Sequence, residues 1–139
     1  MNGSAGAYSI TWISFPRLEL YTTDNKHNTL ECFYPGSCIL REKGKRRTVV
    51  DFPLGWRTDV TTTPAPFLLR QLGPHGPAAV LHDRLLQIFE DREEARKWTK
   101  VQLDILVEQG HVCPFHSGIM MSGLFLFDKA VKIMPWRKI

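Results

Sequence analysis

Residues 78–89, AAVLHDRLLQIF, carry the pattern that decides the fold. At 100° per residue, a helix places the small and apolar side chains of this stretch on one face, and a single histidine lies among them. That face consists of Ala78, Leu81, His82, Leu85, Ile88 and Phe89. Pro77 suits the first position of such a helix, because no backbone N–H is needed there. We therefore predict a helix that packs on the core, with His82 on its inward face and Asp83 at the border of that face.

Two more helices are predicted downstream. Asp91 is the expected N-cap of the second helix, and Glu94 completes an Asp-x-x-Glu capping box. This helix is expected to end at Gly110, since glycine suits the left-handed position after a helix. A third helix is predicted over residues 119–132. Because its residues are apolar almost all round, we expect it to be the central, buried helix.

The first part of the chain predicts antiparallel strands. β-branched and aromatic residues recur over short stretches that are separated by polar, Pro-rich and Gly-rich turns. The predicted strands are residues 8–13, 17–21, 30–34, 37–41 and 47–52. Residues 53–77 contain five of the nine prolines and predict an irregular loop, with a single helical turn at 67–72. Long loops of this kind in compact domains are often functional.

Together these elements predict one α+β domain that spans residues 1–139. The β-rich half, residues 1–52, is expected to form antiparallel strands and hairpins that pack against about three helices in residues 78–139. The Pro/Thr-rich loop, residues 53–77, joins the two halves. A chain of 139 residues with 43% hydrophobic side chains is long enough to bury such a core.

Neither a membrane span nor a targeting signal is expected. Residues 1–7 are small and polar, whereas a signal peptide begins with basic residues and continues with apolar ones. The longest apolar run, residues 119–127, is interrupted by Ser122 and Gly123 and is too short to cross a bilayer.

The spacing of cysteine and histidine does not favour a structural zinc site. The odd number of cysteines and the absence of a CxxC pair predict buried free thiols in a reducing compartment. These are Cys32, Cys38 and Cys113. His111 and His116 flank Cys113, but three ligands and an intervening proline match zinc poorly, so we expect a simple loop there.

Residues 41–47, REKGKRR, hold five of the eighteen basic residues. Such a run could contact phosphate or another anionic surface. It also suits the solvated tip of a hairpin, since hairpin tips favour glycine and polar residues, and we favour this interpretation. No aromatic residues interleave the basic ones, as they would in a surface that stacks nucleic-acid bases. Nucleic acid is therefore not an expected partner.

His82 is the residue of the helical stripe that could carry chemistry. A single histidine on an apolar face is most often a satisfied core residue. Upstream, however, residues 55–64, GWRTDVTTTP, supply one carboxylate, Asp59, and four hydroxyls just before the loop that leads to the helix. We therefore expect Asp59 to lie within reach of the His82-Asp83 end of the helix.

Three blocks of the sequence also resemble a known family. They are residues 56–64, WRTDVTTTP, residues 78–86, AAVLHDRLL, and residues 92–96, REEAR. In order and spacing they resemble an uncharacterised family of phage and prophage proteins, known only as domain of unknown function 1353. Its members carry a Phe-x-Thr-Asp-x-x-Ser-x-Pro loop, an Ala-x-x-x-His-Asp-x-Leu-Tyr helix and an Arg-x-x-Ala-Asp helix start. The resemblance covers residues 52–110, less than half of the chain.

The chain departs from the family pattern at three positions. The family's serine is Thr62, its tyrosine is Leu86, and its third acid is Arg96. A divalent metal ion would be bound by Asp59, His82, Asp83 and that third acid. An arginine at this position would repel the ion. It would instead pair with Asp83 or Asp59, which turns the cluster into a structural polar knot.

The resemblance thus leaves two functions open. The first is a noncatalytic phage component, such as a tail, baseplate or virion accessory protein, in which the His-Asp knot holds the loop to the helices. The second is a small metal-dependent hydrolase of the cell wall or another lysis target, with Asp59, His82 and Asp83 binding the metal or activating water. Arg96 favours the first function, which needs no cofactor and implies other virion or assembly proteins as partners. A homo-oligomer is compatible with it, and the expected location is the virion or the cytoplasm of the infected host.

Overall fold

The computed structural model describes residues 1–20, 30–58 and 76–133. Within them, seven strands form two antiparallel sheets and three helices follow, so the predicted α+β fold is confirmed. Asp59, Thr62 and the helical turn predicted at residues 67–72 lie outside the described residues.

The described strands include all five that the sequence predicts. They are β1 (Gly3–Ala5), β2 (Tyr8–Ser14), β3 (Arg17–Leu20), β4 (Leu30–Tyr34), β5 (Gly36–Glu42), β6 (Thr48–Phe52) and β7 (Arg57–Thr58). The first sheet has the order β1-β2-β5-β6, and the second has the order β3-β4-β7. The two unpredicted strands, β1 and β7, are very short, and it is pairing with β2 and β4 that makes them strands.

The inner face of the first sheet supplies much of the core. Because side chains alternate along a strand, every second residue of β2, β5 and β6 points inward. The inward residues are Ile10, Trp12, Cys38, Leu40, Val50 and Phe52, and all are buried. At the start of β5, a Cβ on Gly36 would lie 2.5 Å from the nitrogen of Pro16. Glycine is therefore required where β5 passes the end of β2.

The helices are α1 (Gly76–Phe89), α2 (Arg92–Glu108) and α3 (Pro114–Ile133). The predicted N-cap of α2 is confirmed, since the Asp91 carboxylate accepts hydrogen bonds from the backbone N–H of Glu93 at 2.9 Å and of Glu94 at 3.4 Å. The predicted start of α3 is wrong. The helix begins at Pro114 because proline is favoured in the first turn, and it takes in His116, for which the sequence predicted a loop.

The central helix is α2, so the prediction that α3 is central and buried is wrong. α2 packs against α1 and α3 as well as against β1 and β2. Two of its buried residues are polar, and each has a partner. Gln102 accepts a hydrogen bond from Trp12 Nε1 at 2.7 Å, and Thr99 donates one to the carbonyl oxygen of Ala95 at 2.8 Å. Because Thr99 and Gln102 are polar, the sequence of α2 is less apolar than is usual for a central, buried helix.

α3 covers one side of α2 and leaves much of its own surface exposed. Met120 and Leu124 are buried against α2, whereas Phe115 and Leu126 are 68% and 64% exposed. The apolar residues on all sides of α3 therefore reflect an exposed apolar face and not a central, buried position. In the described ranges, no helix is long and apolar enough to cross a membrane.

All three cysteines are free. Burial was correctly predicted for Cys32 and Cys38, and desolvation raises the pKa of both thiols, that of Cys38 to about 12. The prediction is wrong for Cys113, which is exposed just before α3. Its surroundings form the connection between α2 and α3, and connections of this kind run over the surface.

Candidate functional site

The Pro/Thr-rich loop starts at a point that is attached to α1. β7 pairs with β4, with Thr58 opposite Leu30, and this pairing holds Thr58 beside the helix. The Thr58 hydroxyl donates a hydrogen bond to Asp83 Oδ2. The residue before Asp59 therefore contacts the His82-Asp83 pair. The position of Asp59 itself stays a prediction, because that residue lies outside the described ranges.

Further hydrogen bonds join α1 to the strands before this loop. Trp56 Nε1 donates to Gln87 Oε1 at 2.8 Å, and Arg84 donates to the same oxygen at 3.0 Å. The Nε of Arg84 also donates to the carbonyl oxygen of Asp51 at 2.7 Å. α1 is thus fixed to β6 and to the connection between β6 and β7. No pattern in the sequence indicates these roles of Gln87 and Arg84.

His82 is enclosed on the inward face of α1. Its side chain is 9% exposed, and its helix neighbours Leu81 and Leu85 are fully buried. Among the described residues, its Nε2 atom has no hydrogen-bond partner. Burial lowers the pKa of His82 to about 4, the nearby Asp128 carboxylate acts in the opposite direction, and two arginines lower it further. The imidazole is therefore neutral at pH 7.

The two arginines are Arg92 and Arg96 of α2, and both bind the buried carboxylate of Asp128 on α3. Arg96 donates to one oxygen at 2.8 Å, and Arg92 approaches the other at 3.4 Å. The carboxylate is 3% exposed, so the pairing supplies the counter-charge that a buried ion needs. Arg92 and Arg96 thus bind Asp128 in a buried cluster between α2 and α3, and the charges of this cluster act on the enclosed His82 of α1. We refer to these four residues as the polar knot.

The polar knot of the structure contains an acid, Asp128, that the predicted knot did not include. The prediction placed Arg96 against Asp83 or Asp59. In the structure Arg96 binds Asp128, and Asp59 lies outside the described residues. Two signals in the sequence could have indicated this. Arg92 and Arg96 are spaced i, i+4 on one helix, and Asp128 is the sole acid of the apolar α3 stretch.

A cleft of about 560 Å³ lies beside the polar knot, between the end of α1 and the start of α2. It is lined by Asp83, Leu86, Gln87, Glu90 and Arg92. Glu90 lies at the turn between the helices with a φ of 57°, a left-handed conformation that glycine or asparagine usually adopts. The cleft therefore combines two carboxylates with a guanidinium group, whereas His82 is not among the residues that line it.

The metal interpretation remains a prediction. Nowhere in residues 1–20, 30–58 and 76–133 do three or more His, Cys, Asp or Glu side chains form a group that could hold a metal ion. This applies equally to His111, Cys113 and His116. His82 and Asp83 are two of the three proposed ligands, and the third, Asp59, lies outside these ranges. The described side chains by themselves do not make a metal site.

No protein-family model matches the chain, and neither a curated protein nor a solved structure matches it. The resemblance to the phage family therefore depends on the three sequence blocks described above. The structure adds that the first two blocks are in contact, through Thr58 and Asp83.

His82 predicts a loss of stability in acid. In the unfolded chain the imidazole takes up a proton near pH 6.5, whereas in the folded protein it does so only near pH 4. Between these values the unfolded state binds more protons, so the free energy of unfolding falls as the pH falls from 6.5 to 4. The expected loss from this residue is about 2 kcal/mol between pH 7.5 and pH 5.

His82→Leu tests this contribution, because leucine cannot take up a proton. Urea unfolding at both pH values should show that the variant loses about 2 kcal/mol less than the wild type. At pH 7.5 the variant should lie within about 1 kcal/mol of the wild type, since the substitution also removes a buried nitrogen without a described partner. Equal acid losses in the two proteins would contradict a buried, neutral His82.

Glu90 predicts a stabilising substitution. A left-handed conformation costs a residue with a side chain about 1 kcal/mol, and glycine avoids this cost. Glu90→Gly should therefore raise the free energy of unfolding by up to about 1 kcal/mol, measured by chemical denaturation. The matched control is Glu90→Ala, which removes the carboxylate but keeps the Cβ and should change stability little. If Glu90→Ala stabilised the protein as much as Glu90→Gly, the destabilising feature would be the carboxylate and not the left-handed backbone.

Proposed function

We propose that this protein is a noncatalytic structural or assembly component of a phage, such as a tail, baseplate or virion accessory protein. The observation that carries the proposal is the enclosure of His82 in a polar knot whose carboxylate, Asp128, is bound by two arginines. The phage setting comes from the three sequence blocks that resemble the phage family.

The state of His82 supports a structural role. A general base must reach the proton that it removes, and it works best when its pKa lies near the operating pH. His82 is enclosed, and its pKa is lowered to about 4. The adjacent Asp83 carboxylate accepts a hydrogen bond from Thr58 and so holds the loop to the helix. Both residues of the pair thus serve contacts within the protein.

The outer face of α3 supports a role in assembly. At helical spacing, Phe115, Ile119 and Leu126 lie on one side of α3, with Phe125 at its edge. Three of these four side chains are exposed, and Ile119 is partly exposed. Contiguous exposed apolar residues rimmed by polar ones are typical of protein–protein contact sites.

The charges around this face indicate what kind of partner it fits. Arg96 lies 5.0 Å and Lys129 lies 4.6 Å from the centre of the Phe125 ring. The acid of α3, Asp128, is buried and offsets only one of the two positive charges of Arg92 and Arg96, so the charge beside Phe125 stays positive. The face is therefore apolar with a basic rim, and it fits a protein subunit whose apolar patch carries acidic residues at its edge.

A second candidate function is a small metal-dependent hydrolase that acts on the cell wall or another lysis target. Two observations favour it: the buried Nε2 of His82 has no partner among the described residues, and a cleft lined by Asp83 and Glu90 lies beside the knot. Buried polar atoms normally have partners, so an orphan requires an explanation. This candidate depends on Asp59 completing the site.

Sedimentation of phage particles tests the assembly role. In particles purified from a phage that encodes this chain, the wild-type protein should cosediment with the virion or with an assembly intermediate. The double substitution Phe115→Ser and Leu126→Ser should abolish cosedimentation, because it removes the apolar contacts of the outer face of α3. Circular dichroism should show that the variant is folded, since both side chains are largely exposed.

The matched control removes two apolar side chains of similar exposure elsewhere. Ile13 and Leu54 are 64% and 69% exposed, and neither belongs to α3. The double substitution Ile13→Ser and Leu54→Ser should cosediment like the wild type. A wild-type protein that is absent from both particles and intermediates would overturn the assembly role.

A further inference from the structure

The basic tip of the hairpin formed by β5 and β6 is part of a concave surface. A cavity of about 470 Å³ lies between this tip and the turn that joins β1 to β2. Its lining contains four basic residues: Arg41, Lys43, Lys45 and Arg47. Ala7, Ser9, Glu42 and Gly44 complete it. We refer to these eight residues as the basic concavity.

The backbone holds the basic concavity in a defined shape. Arg41 lies opposite Ser9 in the pairing of β5 with β2. The Lys43 N–H donates to the carbonyl oxygen of Ala7 at 2.8 Å, which ties the tip to the neighbouring turn. Gly44 has a φ of 82°, so the chain can reverse sharply at a position where a side chain would be strained. The basic side chains are therefore presented from a braced turn.

The positive charge of the basic concavity is not neutralised by the residues that line it. Its one acid, Glu42, binds Lys45 at 2.8 Å and approaches Lys97 of α2 at 4.0 Å. The hydrogen bond from Lys45 lowers the pKa of Glu42, so this carboxylate stays ionised and occupied. In the described part of the chain, no carboxylate forms an ion pair with Arg41, Lys43 or Arg47.

The local excess of positive charge is large relative to that of the whole chain. The tip with its flank on α2 holds six basic residues and two acids. The basic residues are Arg41, Lys43, Lys45, Arg46, Arg47 and Lys97, and the acids are Glu42 and Glu94. This excess of four equals the net charge of +4 for all 139 residues. Such a concentration attracts a polyanion more strongly than the same charge spread over the surface.

We propose that the basic concavity binds the phosphate backbone of double-stranded nucleic acid. Backbone phosphates are bound mainly by Lys and Arg side chains and by backbone N–H groups, with no need for aromatic residues. The lining contains no aromatic side chain, whereas single-strand binding depends on aromatic stacking. The sequence alone favoured a solvated tip. The structure changes this interpretation, because four of the basic residues line one concave surface.

Fluorescence anisotropy with a short labelled DNA duplex tests this proposal. At about 50 mM salt the wild type should bind with micromolar affinity, and the affinity should fall steeply as salt increases. The double substitution Lys43→Gln and Arg47→Gln should weaken binding at least about tenfold and reduce the slope of log affinity against log salt by about 2. Thermal unfolding should show that the variant is folded, since both side chains are exposed.

The control has the same change in charge at a distance from the tip. Arg17→Gln and Lys129→Gln together remove one arginine and one lysine from β3 and α3, and this variant should bind the duplex like the wild type. Equal weakening in both variants would mean that only net charge matters and would overturn the proposed site. Failure of the wild type to bind the duplex at low salt would overturn it as well. So would tighter binding to single-stranded DNA or to phosphatidylserine vesicles than to the duplex.

Discussion

The buried carboxylate of Asp128 is the constraint on which the helical half depends. A buried ion costs several kcal/mol unless it is paired and hydrogen-bonded, so α3 must bring Asp128 against Arg92 and Arg96 of α2. This requirement fixes the rotation of α3 about its own axis. With Asp128 inward, Phe115 and Leu126 must lie on the outside. The polar knot therefore determines which apolar residues are left for contact with another protein.

The same knot determines the chemical state of His82. The imidazole is enclosed near two guanidinium groups, and burial with these charges lowers its pKa far more than the Asp128 carboxylate raises it. A neutral, enclosed histidine contributes shape and packing to the junction of the helices. Asp83 follows His82 on the same helix, and its hydrogen bond with Thr58 attaches the start of the loop to that helix. His82 thus lies at the junction of α1 with α2 and α3, whereas the adjacent Asp83 binds Thr58 of β7.

Much of the fold follows from local patterns in the sequence. The apolar stripe of residues 78–89 predicts α1 and the burial of His82, and both are confirmed. The two polar pairs also mark the place where the strands meet α1, since Thr58 of the first pair binds Asp83 of the second. The central position of α2 could not be predicted in this way. Gln102 is buried because Trp12, ninety residues earlier, provides its hydrogen bond, and no local pattern contains that information.

Local patterns indicate the partner of Arg96 only in part. The arginine was expected to neutralise a nearby acid of the loop or of α1, but the acid that it binds comes from α3. The spacing of Arg92 and Arg96 and the single acid of α3 indicate this pairing only once it is known that α3 packs against α2. The basic tip shows the same limit. Its charges are evident in the sequence, but their arrangement around one concavity depends on the neighbouring turn between β1 and β2.

The most direct test of the polar knot is the NMR spectrum of the His82 ring nitrogens at pH 6, recorded with and without equimolar Zn²⁺. A histidine with an ordinary pKa would be about three-quarters protonated at this pH. The signals of His82, assigned by their loss in His82→Leu, should instead show a neutral ring that Zn²⁺ does not change. A protonated ring at pH 6 would contradict a buried, neutral His82, and a shift of Nε2 on addition of Zn²⁺ would contradict its structural role and favour the hydrolase.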